Sequence, residues 1–399
     1  MKELNTREKK NLQLLFFLFG IGIMAIAPRN PEIKHNLGVD NGTFGTLLSL
    51  GGVGSTLALM FGGHIVHRIG PKPVLVASST IMYALVAAMP HLHTSWIFLL
   101  VNIATGAALS MYHISTNGQA LRRQEETGLV LIPRLHGLWS TGALSTAIFA
   151  FLITAHVSLA WHIDVMMAII WISTQISIWN MRHDFFSGTS EHDDSTSISI
   201  KSLFAALSFE RTITFGLVCV LMIEFASNDW ATIFTKEQIG MSASLSILSY
   251  ILFMISMISG RFTIHKLLQM KSERYLMLRG TLIGGALFII FLVLGNWVAP
   301  SHKTLGFILV LVGFIFGGLG CSHLAPTFFG IAGRRSSLPG SVVVASLGLV
   351  NGILIFFIKI GISWIAQATS VLFALLIPGA LLMLASVVAH LGRDEVLAK

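Results

Sequence analysis

Two carboxylates and one lysine stand inside stretches of sequence that are otherwise apolar: Glu224 and Asp229 in the segment that starts near Arg211, and Lys359 in the one that starts near Pro339. An ionised group near the centre of a bilayer costs about 2.5–3.5 kcal/mol on insertion scales, so such residues mark a pathway, a proton relay or a charge pair. A desolvated carboxylate and a lysine beside it pull in opposite directions on a shared proton, so solute arrival can decide where that proton sits. The chemistry on offer is proton binding linked to solute binding. Glu224 is the expected proton carrier and Lys359 the expected anion-binding cation, and the competing reading is a buried Glu224–Lys359 ion pair that only fixes packing.

Other polar residues fall into register with these. On the seventh apolar segment Glu224, Ser227, Asn228, Ala231 and Thr235 share one helical face, with Asp229 off to its side. On the fourth, Asn102, Gly106, His113 and Asn117 lie within roughly 60° of one another at 100° per residue. Such a stripe faces a water-filled cavity or hydrogen-bonds to other helices. His113 and His323 are expected as polar walls, and Pro326 is expected to kink the tenth segment. Arg29 and Asp229 sit at the same offset from the starts Asn11 and Arg211, so opposite charges are expected to pair across an outer mouth.

The elements that must hold these residues are membrane helices. With 54% hydrophobic and 11% charged residues, the chain departs from soluble proteins, which carry about 25% charged residues. About 20 apolar residues span a bilayer core, and twelve such segments start near Asn11, Phe44, Pro73, Trp96, His136, Ala160, Arg211, Ser242, Arg274, Thr304, Pro339 and Ser370. With a cytoplasmic N-terminus, all of the 26 Lys and Arg but Arg29, Lys34, Lys236, Lys303 and Lys359 fall on the cytoplasmic side, so the net charge of +8 reflects topology and not nucleic acid. Both termini are then cytoplasmic. Residues Met1 to Ala27 have the flanks of a signal peptide, but Pro28 blocks cleavage and leaves an uncleaved first helix. Cys219 and Cys321 read as packing residues without disulfide or metal spacing. A Ser/Thr-rich acidic stretch divides the chain into a bundle over 1–180, a cytoplasmic linker over 181–210, with a short surface helix near Lys201 to Leu207, and a bundle over 211–399. The glycines of the second segment (51, 52, 54, 62 and 63) are expected to let backbones approach closely.

Two basic loops recur about half a chain apart: Gly62 to Val74, with His67, Arg68 and Lys72, and Gly260 to Lys271, with Arg261, His265 and Lys266. The first resembles the Gly-x-x-x-Asp-Arg-x-Gly-x-Lys signature of the major facilitator superfamily, with His67 in place of Asp. Arg29-Asn-Pro-Glu-Ile, His136-Gly-Leu-Trp-Ser-Thr-Gly and Glu224-Phe-Ala-Ser-Asn-Asp229-Trp230 are similar to a bacterial branch neighbouring fucose permease. The resemblance implies an all-α fold of twelve transmembrane helices in two pseudo-symmetric six-helix bundles, with substrate bound between them near the midplane. It further implies that Arg68, Lys72, Arg261 and Lys266 gate the cytoplasmic side. His67 and His265 replace the acid such a gate uses, and Lys359 stands where a Gly-Pro stretch is expected.

The sequence therefore points to a secondary transporter in the bacterial cytoplasmic membrane, moving a small polar or anionic solute by alternating access, in symport with protons. It has no P-loop, and no cofactor or metal is expected; the chain is read as a monomer whose partners are solute, protons and lipid. An efflux antiporter is the alternative, disfavoured because the fifth segment lacks Gly-Pro-x-x-Gly-Gly. A membrane enzyme lacks a clustered catalytic set, since His91 and His93 alone make no site, and a sensor lacks an output domain.

Overall fold

A computed structural model describes residues 6–129, 131–186, 211–325, 327, 328, 331 and 340–391; the linker from residue 187, its expected surface helix and Pro326 lie outside these. The described elements are helical, with no strand among them. In chain order the long helices are α1 Thr6–Met24, α2 Asn41–Ile69, α3 Pro71–Ala88, α4 Ser95–Thr127, α5 Ile132–Ile153 and α6 Leu159–Asn180. They continue as α7 Arg211–Ile233, α8 Ala243–Met270, α9 Glu273–Val298, α10 Lys303–Cys321, α11 Gly340–Ala368 and α12 Val371–Leu391. A short helix, Asn30–Leu37, follows a 3₁₀ turn at Ala27–Arg29, where Pro28 ends α1. Among the described residues eleven helices are long and apolar enough to cross a membrane, and the described apolar part of α12 is the shorter Val371–Val387.

Local chemistry sets the helix starts. The hydroxyls of Ser158, Ser242 and Ser272 accept from backbone N–H groups three residues on, capping α6, α8 and α9. Both basic loops are shorter than expected, because the helices run through them. The turn between α2 and α3 is Gly70 alone, at φ 85° with Pro71 opening α3, and α8 continues to Met270. His67 and Arg68 are thus last-turn residues of α2, and Arg261 lies well inside α8.

The chain forms two compact units, Met1–Val39 with Leu47–Asp193, and Asp40–Thr46 with Asp194–Lys399. In the first, α1 packs on α5 and α6, and α3 on α4. A Cβ on Gly54 would collide with the Ile103 carbonyl, and one on Gly106 with the Gly51 carbonyl, so α2 and α4 touch through backbone. Gly52 and Gly63 have nothing near, which removes them from that role. In the second unit α9 packs on α10 and α12, α7 on α12 and α8 on α10. Large apolar side chains lie open on the outside, among them Trp297 at 77%, Phe357 at 65% and Ile169 at 59%. A surface of this kind suits lipid and not water.

Candidate functional site

In the second unit α7 carries both carboxylates, and each meets a cation from another helix. Asp229 Oδ2 lies 2.8 Å from the Lys359 ammonium of α11, and both side chains are largely buried. Lys359 also stands over the Phe225 ring, 5.6 Å from its centroid. Glu224 Oε2 lies 3.3 Å from Arg261 Nη2 of α8. Arg261 donates through Nε to the Ser322 carbonyl at 3.0 Å, so the guanidinium has an acceptor besides Glu224.

These contacts correct two expectations. Glu224 and Lys359 do not pair, because α11 brings its lysine to the side of α7 where Asp229 projects. Arg261 is drawn to Glu224 and Ser322 rather than placed in a loop, because α8 extends past it. Arg29 is 1% exposed and satisfied inside the first unit, where Glu32, one turn on, takes Nε and Nη2. His162 Nδ1 lies 3.1 Å from Arg29 Nη1, and the Val157 carbonyl accepts from Nη2 at 3.3 Å.

On α7, between Glu224 and Asp229 in the chain, Ser227 Oγ and Asn228 Oδ1 are buried with no partner among the described residues, and so is the Tyr250 hydroxyl of α8. Tyr250 is fully buried, within electrostatic reach of both Glu224 and Asp229, and on the same face of α8 as Arg261, eleven residues or about three turns apart. Asn351 of α11, 2% exposed, has both amide atoms unpartnered, and so has His323 its Nε2. Buried groups of this kind are normally satisfied by water or ligand. Tyr250 stands in an apolar-rich stretch beside Ser249, with no charged residue near it in sequence to single it out.

In the first unit the α4 stripe divides. Asn102 donates to the Leu47 and Leu48 carbonyls at 2.8 and 3.2 Å, which ties α4 to α2 and takes it out of the polar wall. Asn117 donates to the His113 carbonyl at 2.9 Å, leaving its Oδ1 to accept from His136 Nε2 at 3.2 Å. That contact assigns the His136 tautomer with the proton on Nε2. His113 and His136 meet edge to face at 5.9 Å, with Phe19 against the first and Phe16 against the second. His136 was legible only as part of a quoted motif. Of the expected gate residues, Arg68 and Lys266 are exposed and Lys72 and His67 half-buried, while the His265 side chain lies outside the described ones. A buried network that the sequence did not suggest joins Glu8 of α1, 3% exposed, to Arg123 of α4, which also bonds Glu126 and the Asp184 carbonyl.

Comparison with known proteins adds family and fold. The sequence pattern of the Major Facilitator Superfamily matches residues 12–364. An uncharacterised MFS-type transporter of Yersinia pestis is 24% identical over 368 residues, covering 91% of this chain and 90% of that one. An uncharacterised transporter of Sinorhizobium fredii is 20% identical over 340 residues, 84% of each chain. Among solved structures, the nucleoside transporter NupG is similar with a TM-score of 0.74 at 15% identity, over 97% of this chain and 99% of its own. A D-xylose-proton symporter gives 0.70 at 14%, over 98% of both.

Proposed function

The chain belongs to the Major Facilitator Superfamily, and from that premise we propose that it is a proton-coupled symporter of a small, uncharged polar solute, working by alternating access. The observation that carries this reading is that both α7 carboxylates are matched by cations from other helices, Glu224 by Arg261 and Asp229 by Lys359. Each pair is neutral as a whole, so Lys359 is not open to an anion as expected from the sequence. The groups left to meet a solute are amides, hydroxyls and imidazoles. Asn228, Asn351 and His323 of the second unit are assigned to it, and two structural neighbours, a nucleoside transporter and a D-xylose-proton symporter, favour an uncharged solute and proton coupling.

Glu224 is the proton carrier. When it takes a proton, Arg261 keeps the Ser322 carbonyl, whereas protonating Asp229 would strip Lys359 of the carboxylate that neutralises it. A charge that retains an acceptor is cheaper to release than one left bare. Asp229 with Lys359 and Arg29 with Glu32 hold helices in place. The working halves are 1–180 and 211–399, joined by 181–210, with both termini in the cytoplasm of a bacterial cell and the gate cations on that side.

Purified protein in liposomes, under an inward proton gradient, is expected to accumulate a labelled nucleoside or pentose. Glu224→Gln is expected to lose accumulation yet retain counterflow. If Glu224→Gln accumulates solute as the parent does, the proton assignment fails. If the parent neither accumulates nor exchanges any of these solutes, the substrate class is wrong.

A further inference from the structure

A groove of about 310 Å³ opens on the first unit between α1 and α5, lined by Lys10, Gln13, Leu14 and Phe17 from α1 and by Arg134 and Leu138 from α5. Arg7 bonds Asn180, Arg122 bonds Glu126, and Arg123 bonds Glu8 and Glu126, whereas Lys9, Lys10 and Arg134 are in no ion pair among the described residues; of these Lys10 and Arg134 are exposed and line the groove. The other residues named, Gln13 apart, are apolar, and Leu14 is 39% exposed.

The apolar character continues away from the cations. Arg134, Leu138, Thr141, Ser145, Ile148 and Leu152 recur at the spacing of one helical face. Thr141 and Ser145 turn their hydroxyls back to the carbonyls of Gly137 and Thr141, at 2.9 and 2.8 Å, so neither presents an unsatisfied donor to its surroundings. Ile148 and Leu152 are 40% and 63% exposed. The surface thus offers two unmatched cations at one end and a strip of hydrocarbon leading from them.

We propose that this groove binds an anionic phospholipid, its phosphate between Lys10 and Arg134 and an acyl chain along Leu14, Phe17 and Leu138. Basic pockets between membrane helices on the cytoplasmic side suit such headgroups. A dissolved anion would use the cations and leave the apolar strip unoccupied. A second groove of about 350 Å³, between α9 and α12 on the second unit, offers the single cation Arg279 beside Leu278, Leu282, Ser386 and Val387, and serves as the internal control.

The test needs no transported solute, so it stands apart from the proposed symport. Purified protein in detergent is titrated with phosphatidylglycerol, with phosphatidylcholine of the same chains, and with inorganic phosphate, and binding is read by native mass spectrometry and thermal melting. Phosphatidylglycerol is expected to bind and stabilise in preference to phosphatidylcholine. Lys10→Gln with Arg134→Gln should weaken it about thirtyfold and either change alone about fivefold, from the usual contribution of one cation near an anionic headgroup. Lipid-free melting should not move, since neither side chain has a protein partner. Arg134→Lys should retain binding, and Arg279→Gln should leave the tightest phosphatidylglycerol site unchanged. Equal binding of the two lipids, or a double variant that binds phosphatidylglycerol as the parent does, overturns the proposal. So does inorganic phosphate that matches the lipid's stabilisation, which would make this a site for free anions.

Discussion

The two units differ in how far their buried charge pairs reach. In the first, Arg29 is neutralised one turn along its own chain by Glu32, Glu8 of α1 meets Arg123 of α4, and the rest of the polar interior is built from amides and imidazoles such as Asn117 and His136. In the second, each carboxylate of α7 reaches a cation on a different helix, 37 residues away for Glu224 and Arg261, and on α11 for Asp229. A local pair is insensitive to helix movement, because both partners travel together. A pair between helices is made or broken when those helices shift, so the α7 pairs, like Glu8–Arg123 in the first unit, are where motion and charge can be linked.

That contrast can be broken, most severely at Asp229. Asp229→Asn leaves Lys359 buried without its carboxylate and is expected to cost about 3–5 kcal/mol, seen as low membrane yield and early melting in detergent. Asp229→Asn combined with Lys359→Met should recover most of the loss; a single variant that melts like the parent would show that the pair carries little. Arg29→Gln is expected to cost less, about 1–3 kcal/mol, since the abandoned Glu32 is partly exposed and can find water. A loss as large as that of Asp229→Asn would erase the distinction between local and interhelical pairs. Asn117→Leu removes the acceptor of His136 and should lower stability by about 1 kcal/mol. The smallest effect is expected at Tyr250→Phe, which deletes an unpartnered buried hydroxyl and should raise stability by about 0.5 kcal/mol. Destabilisation there would mean that bound water satisfies the hydroxyl in the parent.

Much of the architecture was legible because it rests on hydropathy and local stops. The starts expected near Phe44, Pro73 and Ser242 lie beside the observed Asn41, Pro71 and Ala243. Helix ends were harder: His, Lys and Arg do not stop a helix, so α2 and α8 run through residues that read as loops. The charge pairs were not legible. Helical spacing orders residues around one helix and is silent about which neighbour packs on each side, so it set Asp229 apart from the Glu224 face without indicating that α11 waits there. The Arg29–Glu32 pair is legible in principle from its i, i+3 spacing on one helical turn. Asn102 and Asn117 share a helical face yet serve different neighbours, which no periodicity separates.

The single-residue turn at Gly70 has a consequence for biogenesis. With α2 ending at Ile69 and α3 opening at Pro71, only Gly70 lies outside a helix between 29 helical residues and the next 18. The two helices have no tether long enough for one to settle in the bilayer while the other waits in the translocon. They are therefore expected to enter as a hairpin, and a few residues inserted at Gly70 should allow stepwise entry.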